Sequence, residues 1–147
     1  MEMDQTKLQL LYDRMEIMDT QNRYATSVDL QDWDLFLTCY TEEMIADMIS
    51  VGFEKPLTMS SKDFRAIIQH AVSPFDSTQH LLSNFVIDVD GDSATCVCYL
   101  QAQHFSEDET GAHSVIIGGY YSNSLIRTPE GWRINKYKVV KTWMTTS

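Results

Sequence analysis

The spacing of apolar side chains changes once along this chain, at Pro74, and that change constrains the fold more than any other feature. Before it, apolar residues recur in steps of three and four, which is the helical spacing. After it they alternate, which is the strand spacing. Helices that come first and strands that come last predict an α+β domain, with helices packed on one sheet. A length of 147 residues fits one such domain over residues 1–147.

The pattern predicts a first helix from about Asp4 to Leu30. Leu8, Leu11, Met15, Met18, Asn22, Ala25 and Asp29 share one face of it. Asp32 is placed to cap a second helix carrying Trp33, Phe36, Leu37 and Tyr40. Ser61 is placed to cap a third, with Phe64, Ile67, Ile68 and Ala71 inward and Pro74 as its stop. Strands are predicted over Gln79–Val89, Ser93–Phe105, Ser114–Arg127 and Trp132–Trp143, with a short edge strand around Ile45–Val51. Ala94, Cys96, Cys98, Leu100, Ala102 and His104 fall on one strand face. Gly118-Gly119 marks a bulge or bend. Three successive hairpin connections imply a strongly curved antiparallel sheet. Helices against such a sheet form a cone, and its interior is the default ligand site.

Charge and cysteine content exclude several classes. A net charge of −10 argues against duplex nucleic acid and against an anionic membrane surface as partners. No apolar run has the length of a membrane span. The polar, acidic start, Met1 to Gln5, does not read as a signal peptide. Three cysteines, Cys39, Cys96 and Cys98, are too few for a disulfide scaffold, so the expected compartment is the reducing cytoplasm.

A few polar residues fall where a core is expected. Asp29 ends the apolar stripe of the first helix, where a buried carboxylate is costly unless paired. His80 opens a strand. His104 closes the face of Cys98, Leu100 and Ala102. Asn123 interrupts the face of Ile117, Gly119, Tyr121 and Leu125. Tyr24 stands five residues before Asp29, about 140° away around a helix. Each also has an ordinary structural reading, as a solvated carboxylate or a satisfied core group. If they converge, they make a known chemistry. An aspartate holds the tautomer of a histidine, and the histidine takes a proton from carbon beside a carbonyl and returns one to a leaving hydroxyl. A tyrosine polarises the carbonyl.

The stretch Arg23-Tyr24-Ala25-Thr26-Ser27-Val28-Asp29-Leu30-Gln31-Asp32-Trp33-Asp34 leads the resemblance. Thr78-Gln79-His80, Gly118-Gly119-Tyr120-Tyr121-Ser122-Asn123 and Gly131-Trp132-Arg133-Ile134 extend it. From about Tyr12 to Trp143 the chain resembles the SnoaL-like branch of the superfamily of nuclear transport factor 2, scytalone dehydratase and ketosteroid isomerase. The resemblance implies a cone-shaped barrel: a curved antiparallel sheet wrapped around a long N-terminal helix, with two further helices. Within the branch the chain is similar to scytalone dehydratase, hexachlorocyclohexane dehydrochlorinase and bile acid 7α-dehydratase, which use an Asp–His pair. The resemblance places that pair on Asp29 and His80. It places the bile acid enzyme's tyrosine on Tyr24, and scytalone dehydratase's second histidine and asparagine on His104 and Asn123. Met48 and Trp33 complete the expected substrate pocket.

The departures limit the substrate. Val28, and Met48 or a near neighbour, stand where scytalone dehydratase carries tyrosines that activate its substrate, so scytalone is not the expected substrate. The sheet acids of ketosteroid isomerase have no clear counterpart, and no acid follows Leu100-Gln101 as in the bile acid enzyme.

Other constellations are weaker. Cys96, Cys98 and His104 share a face but spread over about 27 Å of extended strand, so no metal is expected. The basic cluster Arg127, Arg133, Lys136, Lys138 and Lys141 reads as a solvated sheet face or a subunit interface. There is no phosphate-cradling glycine loop and no serine nucleophile motif. The expectation is a cofactor-independent lyase. It would be a dehydratase of a small hydrophobic, steroid- or polyketide-like hydroxycarbonyl substrate, assembled as a homodimer or homotrimer through the open sheet face. A non-catalytic ligand-binding or assembly module on the same fold is the rival, and an isomerase or cyclase with the same base stands between them.

Overall fold

Asp4 accepts the Thr6 N–H and starts helix α1, Gln5–Leu30, in the computed structural model, which describes residues 4–147. The helix ends where Gln31 turns left-handed at φ 54°. The N–H groups of Gln31 and Asp32 return to the carbonyls of Val28 and Ser27 at 3.1 and 2.9 Å, closing the last turn. Asp32 then caps α2, Trp33–Leu37, through the Leu35 N–H. This helix is shorter than the apolar spacing implies, and Tyr40 opens strand β1, Tyr40–Asp47. A 3-10 turn at Ile49–Val51 leads to β2, Leu57–Ser60. Ser60, one residue earlier than expected, caps α3, Ser61–Val72. Four long strands follow: β3, Ser77–Asp90; β4, Ser93–Asp108; β5, Gly111–Thr128; β6, Gly131–Thr146.

The six strands form one sheet in the order β2-β1-β6-β5-β4-β3. All pairs are antiparallel except β1 with β6. The predicted edge strand is therefore one place in: β1 lies between β2 and β6, and β2 is the edge. On β4 the predicted face of Ala94, Cys96, Cys98, Leu100 and Ala102 is the buried one. None of the described helices is long and apolar enough to cross a membrane.

The inward face of α1 corrects the sequence expectation. Leu8, Leu11, Met15 and Met18 are exposed, Met15 by 66%. The buried residues are Asp13, Ile17, Thr20, Gln21, Tyr24, Ala25, Ser27 and Val28. Half of this face is polar, and each of these side chains has a partner, although Gln21 uses only its oxygen and its Nε2 is left unpaired. The Asp13 carboxylate accepts two N–H groups of Arg127 at 2.7 and 2.9 Å and the Trp132 indole N–H at 3.1 Å. Arg127 also lies over the Trp132 ring, 4.6 Å from its centroid. Thr20 donates to the carbonyls of Glu16 and Trp132, and Gln21 accepts from Asn123. Paired polar groups can be buried at little net cost, whereas the apolar stripe marks no inner face by itself.

Irregularities bend the sheet. On β3 the register slips between Ser83 and Val86, and Asn84 takes φ 55° there. On β6 it slips twice, opposite Ser124/Leu125 and opposite Gly118/Gly119. The Gly118-Gly119 pair thus marks a bulge, but the extra residue, Thr142, belongs to β6. A Cβ at Gly118 would overlap the Trp143 indole, and one at Gly119 would overlap the backbone carbonyl of Val140.

Two outcomes follow. Gly119→Ala loses about 1–3 kcal/mol in urea unfolding, because its obstacle is backbone that cannot rotate aside. Gly118→Ala meets a side chain instead and loses less. The second concerns pH. Arg127, with the Trp132 and Gln9 donors, holds the Asp13 carboxyl down at about 2, against 3.8 for an ordinary aspartate. A carboxyl lowered in the folded state stabilises fully above its unfolded value and stops doing so as pH falls through its folded one. Asp13 thus contributes about 2 kcal/mol above pH ~4 that is lost toward pH ~2. Thermal midpoints measured from pH 6 to 2 fall less steeply for Asp13→Asn than for the wild type.

Candidate active site

The last turn of α1 carries Asp29 to the start of β3. There its carboxylate accepts three hydrogen bonds: Thr78 Oγ1–H at 2.9 Å, the His80 backbone N–H at 2.8 Å and His80 Nδ1 at 2.7 Å. A carboxylate only accepts, so the proton of the short contact lies on His80 Nδ1. In the neutral ring the lone pair is then on Nε2. The His80 side chain is 7% exposed, and Asp29 stands behind it, reaching an open outer groove with Thr78 and Phe105 rather than the interior.

His80 faces a half-open cavity of about 240 Å³ on the inner side of the sheet. Its wall is apolar on the helix side, with Val28, Ile67, Ile68 and Val72. From the sheet come Leu100, Ala102 and His104 of β4, Tyr121 of β5 and Tyr137 of β6. His104 Nδ1 lies 3.3 Å from the Val115 carbonyl, which also only accepts, so its Nε2 is free in the neutral ring. Burial, with His80 nearby, pushes the His104 pKa down and favours that neutral ring. The two imidazoles sit edge to face with centroids 6.0 Å apart.

Three tyrosines meet in the same cavity. Tyr24 Oη lies 3.5 Å from both Tyr121 Oη and Tyr137 Oη, and all three residues are buried. Burial pushes all three phenols up, so they stay protonated. The Tyr24 and His80 rings are 6.4 Å apart.

The structure brings Tyr24, His80, His104 and Met48 to one cavity, with Asp29 behind His80. The 140° between Tyr24 and Asp29 is no obstacle, because they act from different sides: Tyr24 points in, and Asp29 reaches the back of the imidazole. Two expected residues are corrected. Asn123 is buried but outside the cavity lining. Its amide donates to Gln21 and its oxygen accepts the Lys138 N–H, so it ties α1 and β6 to β5. Trp33 packs on Phe36 at 5.8 Å and does not reach the cavity. Sequence reasoning gave Thr78, Tyr121 and Tyr137 no role in the site. Tyr121 was visible on the inner face of its strand. Tyr137 was not, because the bulge at Asn135 reverses the alternation between Ile134 and Tyr137.

A larger groove, about 660 Å³, lies on the outer sheet face between Leu81, Tyr99, Tyr120 and Trp143. It holds no histidine or carboxylate. Among the described residues no three His, Cys, Asp or Glu side chains converge as metal ligands. The inner cavity is the one of the two that histidines line, His80 and His104.

Relatives share this architecture. An uncharacterized protein of Mycobacterium tuberculosis is 27% identical over 83% of this chain and 80% of its own length. A crystal structure of a Kribbella flavida protein superposes with a TM-score of 0.87 at 28% identity, covering 92% of this chain and 95% of that one. The fold also matches hexachlorocyclohexane dehydrochlorinase LinA-type3 of Novosphingobium barchaimii, with a TM-score of 0.78 at 16% identity over 96% and 94% of the two chains. Residues 9–138 match the SnoaL-like domain, and the chain belongs to that family.

Proposed function

We propose that this protein is a cofactor-independent lyase, a dehydratase in which His80 is the base and Asp29 its positioning partner. The observation that carries the reading is the imidazole itself: Nδ1–H is spent on Asp29, and Nε2 is left for an apolar cavity. His80 Nε2 removes a proton from carbon beside a substrate carbonyl, and the electron pair moves onto the carbonyl oxygen as an enolate. The enolate collapses, the β C–O bond breaks, and the leaving hydroxyl takes the proton back from Nε2 as water. Asp29 stabilises the imidazolium formed between the two steps. The dehydrochlorinase name of one structural neighbour fits the same elimination logic, with chloride as the leaving group.

The cavity narrows the substrate class. A void of about 150 Å³ holds a benzene, and sites for larger ligands start near 300 Å³. At about 240 Å³ the space suits a substituted ring or two fused rings rather than a four-ring steroid.

The outer sheet face is the surface for self-association in this reading. It exposes Leu81, Val86, Tyr99 and Trp143. Sedimentation velocity is expected to give a dimer or trimer, and Tyr99→Glu to shift it toward monomer. A monomeric wild type would overturn that assembly.

The catalytic test is a mass-spectrometric turnover screen with one- and two-ring β-hydroxy ketones. The wild type releases a product lighter by one water. His80→Ala and Asp29→Asn each slow this at least about a hundredfold while keeping the fold by circular dichroism. Undiminished turnover by either variant removes that residue from the mechanism. Conversion without change of mass makes the protein an isomerase instead.

A further inference from the structure

We propose that the outward face of α1 is a seam for a second copy of this chain, with the two α1 helices side by side and parallel. The seam is Leu8, Leu11, Met15, Met18 and Asn22, part of the stripe whose spacing marks one helix face and which the fold leaves in solvent.

The five residues are alternately three and four apart, the a and d positions of two heptads. At about 100° per residue, the stripe centres about 150° around α1 from its buried face, so the sheet behind the helix does not obstruct a partner. Leu11 is 54% exposed and Met15 66%. Single exposed apolar residues are ordinary, but four of them in register on one helix face form a patch. The helix is already held by the sheet, so pairing carries no cost of helix nucleation.

The polar residues select the partner and its direction. Asn22 takes an a position and is exposed. Asparagine at a single a position fixes register and a two-stranded state, because it meets its own copy only in a parallel, unstaggered pair. Arg14 and Asp19 flank the seam on opposite sides, five residues apart. At that spacing a g residue of one parallel helix meets the e residue of the other. Neither has an ion-pair partner among the described residues. Arg14 gives one N–H to the Ile87 carbonyl at 3.0 Å, and its others remain for the partner's Asp19. An antiparallel pair would instead set Lys7 and Arg14 against the same basic residues of the other chain. The stripe lies on the far side of the domain from Leu81, Tyr99 and Trp143, so this contact and the sheet-face contact can coexist. Two heptads make a weak contact, with an expected Kd on the order of 100 μM.

Cysteine trapping tests the geometry. Cys39, Cys96 and Cys98 are buried, so the wild type serves as the blank. Leu11→Cys and Met18→Cys, oxidised with diamide at about 100 μM protein, are each expected to form self-disulfides at least about tenfold faster than Lys62→Cys. Lys62 is exposed on α3 and reports random collision. Adding Asp19→Arg to Leu11→Cys slows trapping at least about fivefold, and adding Arg14→Asp as well restores it, with the fold kept by circular dichroism. Rates no faster than Lys62→Cys overturn the seam and leave the stripe to a partner other than this chain. Disulfides formed only when Leu11→Cys is mixed with Met18→Cys overturn the parallel arrangement. Trapping indifferent to Asp19→Arg overturns the charge pairing. Tyr99→Glu leaves trapping unchanged, so failure of the sheet-face contact and failure of the seam are read separately.

Discussion

Helix α1 sends a polar group into the sheet at almost every turn, and the rest of the structure depends on those groups being met. Asp13 is met by Arg127 and Trp132, Thr20 by Trp132, and Gln21 by Asn123. Tyr24 is met by Tyr121 and Tyr137, and Asp29 by Thr78 and His80. A greasy helix could rotate or slide within a curved sheet at small cost. A helix with five polar contacts at set heights cannot, because any shift leaves buried donors or acceptors unpaired. This constraint also sets the depth of Tyr24 and the position of Asp29.

The same spine grades from structure to function along its length. At the Asp13 end the bonds are charged, bidentate and closed by an aromatic face, and no free valence remains. In the middle, Gln21 and Asn123 are coupled to the β6 backbone. At the Tyr24 and Asp29 end the bonds leave something over: three phenol protons in loose contact, and an imidazole with one nitrogen committed and one free. A cavity opens where the polar contacts stop being complete.

Two features of the sheet make that end possible. The bulge at Asn135 turns Tyr137 inward after Ile134, so β6 supplies both the core beneath α1 and a wall of the cavity. The second bulge, opposite Gly118-Gly119, bends the strands further along. A regular sheet would carry Tyr137 on the outside, and Tyr24 would lack one of its two phenol partners.

Much was legible in the residues alone, and the rest was hidden for definable reasons. Alternation over 14 to 18 residues in β3 to β5, and the turns between them, are local signals, so strands and hairpins were readable before any contact was known. So was the length of α1 with its Asp4 and Asp32 boundaries, and so was the Asp29 and His80 pairing through family resemblance. The inner face of α1 was not, because a polar side chain is buried only if a partner far along the chain awaits it. Asp13 and Arg127 are 114 residues apart. Asn123 read as a ligand contact because its partners, Gln21 and the Lys138 N–H, come from other elements. Tyr137 was lost to a one-residue bulge that reverses the side chains after it, as far as the second bulge at Thr142. Sequence by itself determined the elements, their order and the chemical groups on offer. Only the tertiary structure decided which of those groups are satisfied by one another and which are left facing a cavity, because hydrogen-bond satisfaction is a property of pairs and not of residues.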